Sequence, residues 1–139
     1  MLDTLLKPMT ALIVWTLVMW VWMYATRLPA MTQAKLDPQS AKHPGSLTKL
    51  PGWARQVADN YNHLHEQPTI FYAVCAVLIF AAQDFQVNIM IAWAYVGLRV
   101  LHSLVQATIN VVALRFALFS LSTLALMALA THAVLGVFF

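Results

Sequence analysis

The stretch Asn60-Tyr61-Asn62-His63-Leu64-His65-Glu66-Gln67-Pro68-Thr69-Ile70-Phe71-Tyr72 sets one carboxylate, two histidines and two asparagines at the mouth of an apolar run that continues to about Ala82. A helix carrying Glu66 into an apolar layer brings its charge into low dielectric, where it needs a cationic partner or a bound proton. Few residues elsewhere supply one. Of the 139 residues 61% are hydrophobic and 9% charged, against roughly half and a quarter in soluble domains. That composition predicts a single-domain, all-α integral membrane protein. The net charge of +3 does not indicate nucleic acid, because the basic residues are spread through one loop and into apolar runs with no interleaved aromatic platform. The single cysteine, Cys75, falls inside an apolar run. It excludes an intramolecular disulfide and reads as a small core residue.

Working outward, four apolar segments are long enough to cross a bilayer, over about 9–28, 60–82, 87–107 and 115–138. The first has Pro8 at its start, a position where the missing N–H costs nothing. It holds Trp15, Trp20, Trp22 and Tyr24, the last three in its second half, side chains suited to the lipid–water boundary. Asp3 before Lys7 and the lack of a small-residue cleavage site argue that this segment is retained rather than cleaved. Between 29 and 59, Pro29, Pro38, Pro44, Gly45, Pro51 and Gly52 predict a surface loop. With Arg27, Lys35, Lys42, Lys49 and Arg55 this region carries five of the eight basic residues, so the positive-inside rule places it on the cytoplasmic side. Pro68 is expected to kink the second span, a feature membrane helices tolerate. The architecture expected is a four-helix transmembrane bundle with one long cytoplasmic loop.

Two polar stripes stand out. At 3.6 residues per turn, Asn62 and His63 share a face with Glu66 while His65 points elsewhere, and Arg99, His102 and Gln106 follow one another at i, i+3 and i+7. Two such stripes in an apolar bundle are expected to face each other, with Arg115 at the same end. One reading is a buried Glu66–Arg99 ion pair that fixes helix register and does nothing else. A single carboxylate cannot neutralise both Arg99 and Arg115, however, and the surplus charge suits an anionic ligand. His63 and Glu66 have a spacing usable for a metal, but the neighbouring arginine disfavours a divalent cation, so no metal site is expected. Arg27 reads as a snorkelling interfacial residue and His132 as a satisfied or interfacial one. Ser103, Ser120, Ser122 and Thr123 are suited to close helix packing.

The sequence His63-Leu64-His65-Glu66-Gln67-Pro68, the sequence Arg99-Val100-Leu101-His102 and Arg115 at the start of the last span resemble the MAPEG family, membrane-associated proteins in eicosanoid and glutathione metabolism. The resemblance covers nearly the whole chain and is closest to bacterial members. It implies a homotrimer in the bacterial inner membrane, with glutathione as co-substrate between neighbouring subunits and a lipophilic small molecule arriving through the bilayer. Glu66 would hold the amino group of glutathione and Arg99 would help fix it, with His102, His63, Asn62 and Gln106 around them and Arg115 facing the thiol. The activity implied is that of a transferase or peroxidase. Asp59, which would repel a glutathione carboxylate, and Gln106 motivate an alternative: a non-enzymatic protein binding a lipid or amphipathic anion, or a structural subunit of a larger membrane assembly.

Overall fold

A computed structural model describes residues 4–43 and 45–139. Asp3 and Pro44, read above as a pre-helical charge and a loop breaker, lie outside the described residues. Those residues form five α-helices, α1 (Leu6–Gln33), α2 (Gly52–His63), α3 (Gln67–Phe80), α4 (Gln86–Ala107) and α5 (Val112–Phe138), with a short 3-10 turn at Pro38–Ala41. By length and composition α1, α4 and α5 can each cross a membrane. Their apolar side chains lie largely on the outside: Leu17, Val21, Met90, Phe116, Leu124 and Met127 are all exposed, as a lipid-facing surface requires.

Three boundaries differ from the sequence reading. Pro29 does not end the first helix, which continues to Gln33. A proline φ is helical, and the carbonyl it leaves unpaired is tolerated in helices of this kind. The helix stops instead at Lys35, which adopts a left-handed conformation (φ 50°), while Leu36 N–H donates back to Met31 O at 3.1 Å. The supposed loop over 29–59 also contains most of α2. Extended Pro51 starts it, and Ala54, Val57, Ala58 and Asn60 form its buried stripe. The third difference matters most for the site. The second apolar run is not one kinked helix, because α2 ends at His63 and α3 restarts at Gln67. Pro68 has no N–H to give Leu64 O and its ring crowds that carbonyl, so the turn opens. Pro68 then sits in the first turn of α3, where its missing donor is harmless. Glu66 is left in the junction with a non-helical backbone (φ −92°, ψ −97°).

Side chains tie the two ends of the bundle. At one end Asp84, in the α3–α4 turn, accepts from Leu5 N–H at 2.9 Å and caps the start of α1. Nearby, His132 of α5 meets Asn88 of α4, whose amide donates to Gln83 O at 2.8 Å. At the other end the Gln56 amide donates to both Ala107 O and Thr108 O at 2.9 Å, joining α2 to the end of α4. The core between these ends includes Leu12, Met19, Phe71, Cys75, Leu78, Tyr95 and Leu129. Phe71 and Tyr95 stack with centroids 4.4 Å apart.

Candidate functional site

The break between α2 and α3 decides how the polar residues meet. Because Glu66 no longer follows His63 along a regular helix, its side chain turns outward and is 69% exposed, with Oε2 3.0 Å from His63 Nδ1. Arg99, by contrast, is fully buried on α4. The Glu66–Arg99 ion pair considered above does not form. Arg99 donates from Nη2 to the His63 carbonyl at 3.3 Å and lies over the Phe119 ring of α5, 5.7 Å from its centroid. Its Nε and Nη1 have no hydrogen-bond partner. A desolvated guanidinium held by one long bond and one ring has most of its donor capacity unused.

Around this arginine the structure gathers residues from three helices. The rings of His63 and His102 meet edge to face at 5.1 Å, and His63 stacks on Phe119 at 5.5 Å. His102 is buried with Nδ1 unpartnered. Gln106, one turn further along α4, accepts from Asn60 Nδ2 at 2.9 Å, a buried bond that locks α2 to α4. Arg115, half-buried at the start of α5, donates from Nη1 to Asn110 Oδ1 at 2.7 Å and leaves Nε open. Asn110 stands in a left-handed conformation (φ 52°), which asparagine adopts more readily than most residues. That turn aims its side chain at Arg115.

Two cavities meet at His63. One, of about 340 Å³, is walled by His63, His102, Arg115, Val112, Phe116 and Phe119 and is apolar except for its imidazoles and guanidinium. The other, of about 330 Å³, is polar and lies between Asp59, Asn62, His63, Glu66 and Gln106. Glu66, His63, Asn62, Gln106, His102 and Arg115 therefore all line this pair of spaces, and Arg99 lies behind them. A polar compartment and an apolar one that share His63 as a wall, with Arg115 on the apolar side, can hold an amphipathic or two-part ligand carrying negative charge. His65 lies outside, with Nδ1 2.9 Å from Tyr61 O. Among the described residues no group of three or more histidine, cysteine or acidic side chains stands together as a metal site.

Sequence reasoning gave no site role to Asn60, Asn110 or Phe119. Asn60 and Asn110 carried a signal, being amides beside a helix end and a turn. Phe119 carried none, since a phenylalanine in an apolar helix looks like its neighbours.

A chain whose described residues include three helices long and apolar enough to cross a bilayer, with apolar side chains turned outward, is an integral membrane protein. It belongs to the MAPEG family, whose model matches residues 5–135, and so is a membrane protein of the glutathione and eicosanoid metabolism kind. Comparison with the curated proteins and with the solved structures returned no match.

Proposed function

We propose that the protein is a glutathione-dependent transferase or peroxidase acting on lipophilic electrophiles, with a thiolate stabilised by Arg115. The observation that carries this reading is the unfilled donor capacity of two arginines, Arg115 on the wall of the apolar cavity and Arg99 behind it. Arg115 and Arg99 both have open donors, and the neighbouring carboxylate of Glu66 is turned to His63 and water. Glu66 receives the amino group of glutathione. His102, His63, Asn62 and Gln106 contact the rest of the molecule, and Arg99 helps fix it from behind His63 and Phe119 through its positive charge. The thiol then enters the apolar cavity beside Arg115.

The energetics suffice. At an effective dielectric of about 20, a guanidinium about 5 Å from sulfur favours thiolate over thiol by about 3 kcal/mol. Lowering a thiol pKa by about two units takes about 2.7 kcal/mol. The thiol proton leaves to water through the polar cavity, and the thiolate attacks an electrophilic carbon. A C–S bond forms, and the leaving group departs with the electron pair of the broken bond. With a hydroperoxide the thiolate instead attacks the terminal oxygen. The O–O bond breaks, the alcohol leaves, and a second glutathione reduces the resulting sulfenic acid to disulfide and water.

The wider arrangement belongs to the same proposal. α1, the α2–α3 pair, α4 and α5 make four crossings, the loop between α1 and α2 is cytoplasmic, and the protein is a homotrimer of the bacterial inner membrane with glutathione between subunits. Conjugation of glutathione to an aryl halide in proteoliposomes tests the activity. Turnover is expected to fall at least tenfold in Arg115→Ala, while Glu66→Gln raises KM more than it lowers kcat. No turnover with either an aryl halide or a lipid hydroperoxide would defeat the reading. Asp59 favours a second one, since it lines the same polar cavity as Glu66 and repels a carboxylate. In that reading the joined cavities hold an amphipathic anion without chemistry, and native mass spectrometry would find it retained and lost on Arg99→Ala.

A further inference from the structure

A further cleft of about 430 Å³ lies between the end of α1, residues 41–43 and 45–50, and α2. Its volume is in the range of about 300–1,000 Å³ typical of ligand sites. Arg27, Lys42 and Arg55 line it together with His43, and Asp59 and Asn62 mark its border with the polar cavity. Three cations against one acid leave a formal surplus of two positive charges. None of Arg27, Lys42 and Arg55 is within ion-pair distance of a carboxylate or makes a side-chain hydrogen bond among the described residues. The buried side chains of Leu50, Ala54 and Ala58 close the floor. Small residues there on α2 leave the room that larger ones would fill.

The depth of this cleft says what it meets. The uncharged part of α1 from Met9 to Thr26 spans about 27 Å at 1.5 Å per residue, close to the roughly 30 Å hydrocarbon thickness of a bilayer. Arg27 therefore stands where hydrocarbon gives way to headgroups. Exposed Tyr24 stands one turn before Arg27 on α1 and exposed Trp53 two residues before Arg55 on α2, aromatic residues of the kind found at that boundary. A cationic cleft opening at headgroup depth faces lipid phosphate. Neutral lipids present the same phosphate but offset it with a choline or ethanolamine cation, so the surplus charge selects a headgroup that keeps its negative charge.

We infer that the Arg27–Lys42–Arg55 cleft binds the phosphate of an anionic lipid headgroup, and does so apart from the apolar cavity beside Arg115, with which it shares no wall. Native mass spectrometry of the full chain released from nanodiscs of mixed phosphatidylglycerol and phosphatidylcholine tests this. The native protein is expected to carry phosphatidylglycerol in preference to phosphatidylcholine. In the Lys42→Ala/Arg55→Ala double variant, both positions being exposed, the preference falls at least fivefold with the helical circular dichroism unchanged, whereas Arg115→Ala keeps it. Equal enrichment in the native protein and the double variant, or a loss that follows Arg115→Ala instead, would overturn the assignment. Broadening of the phosphorus resonance of inorganic phosphate in purely phosphatidylcholine nanodiscs, without phosphatidylglycerol enrichment, would reject the lipid as the source of that phosphate.

Discussion

Replacing Asn60 by leucine removes the donor that Gln106 Oε1 accepts at 2.9 Å while keeping the volume of the side chain. Asn60 is fully buried and Gln106 nearly so, so the glutamine amide is left without a partner in the wall of the polar cavity. An unsatisfied buried group of this type costs about 1–3 kcal/mol. Gln106→Leu should cost a similar amount by stranding Asn60, whose Oδ1 already lacks a partner. The double variant removes both polar groups and should recover part of the loss. Measured couplings between polar side chains in membrane bundles average about 0.6 kcal/mol and reach about 1.7. The partial access to water at Gln106 puts this pair toward the lower half of that range, about 0.6–1 kcal/mol. Equilibrium denaturation in mixed micelles, followed by tryptophan fluorescence for the four proteins of the cycle, measures it. Strict additivity within about 0.3 kcal/mol would refute the claim that this bond holds α2 against the polar stripe of α4.

Gln56→Ala removes both bonds to the end of α4 and should cost about 1–2 kcal/mol, with faster amide hydrogen exchange over 108–114, the turn that presents Arg115. Asp84→Ala strips the cap from Leu5 N–H and is expected to lower stability by about 1 kcal/mol, with Asp84→Asn retaining most of it in the same denaturation assay. Ala82 holds a left-handed conformation at φ 55° after α3, so Ala82→Gly should stabilise the protein by up to about 1 kcal/mol, visible as a higher denaturation midpoint.

How far the sequence could be read depended on whether a residue's behaviour was local. The expected start of α4 fell within one residue of the observed helix, because a long apolar run between polar turns leaves little choice. α2 was hidden by proline and glycine at 51–52, although Pro51 before a stripe at Ala54, Val57 and Ala58 has the form of a helix start. The facing of Glu66 and Arg99 failed for a related reason. Helical spacing was assumed through Pro68, and the opened turn sends the carboxylate outward toward His63. Arg99, His102 and Gln106 kept their common face because nothing interrupts α4 between them. The wall that Phe119 supplies depends on how α5 packs on α4, which no local pattern states.

The most direct test of the proposed chemistry is the ultraviolet difference spectrum of the membrane-reconstituted protein with glutathione against the separate components at neutral pH. Arg115, held by Asn110 on the wall of the apolar cavity, predicts a thiolate absorbance that saturates with glutathione and disappears in Arg115→Ala. An absent signal in the native protein, or an equal one in the variant, would contradict it.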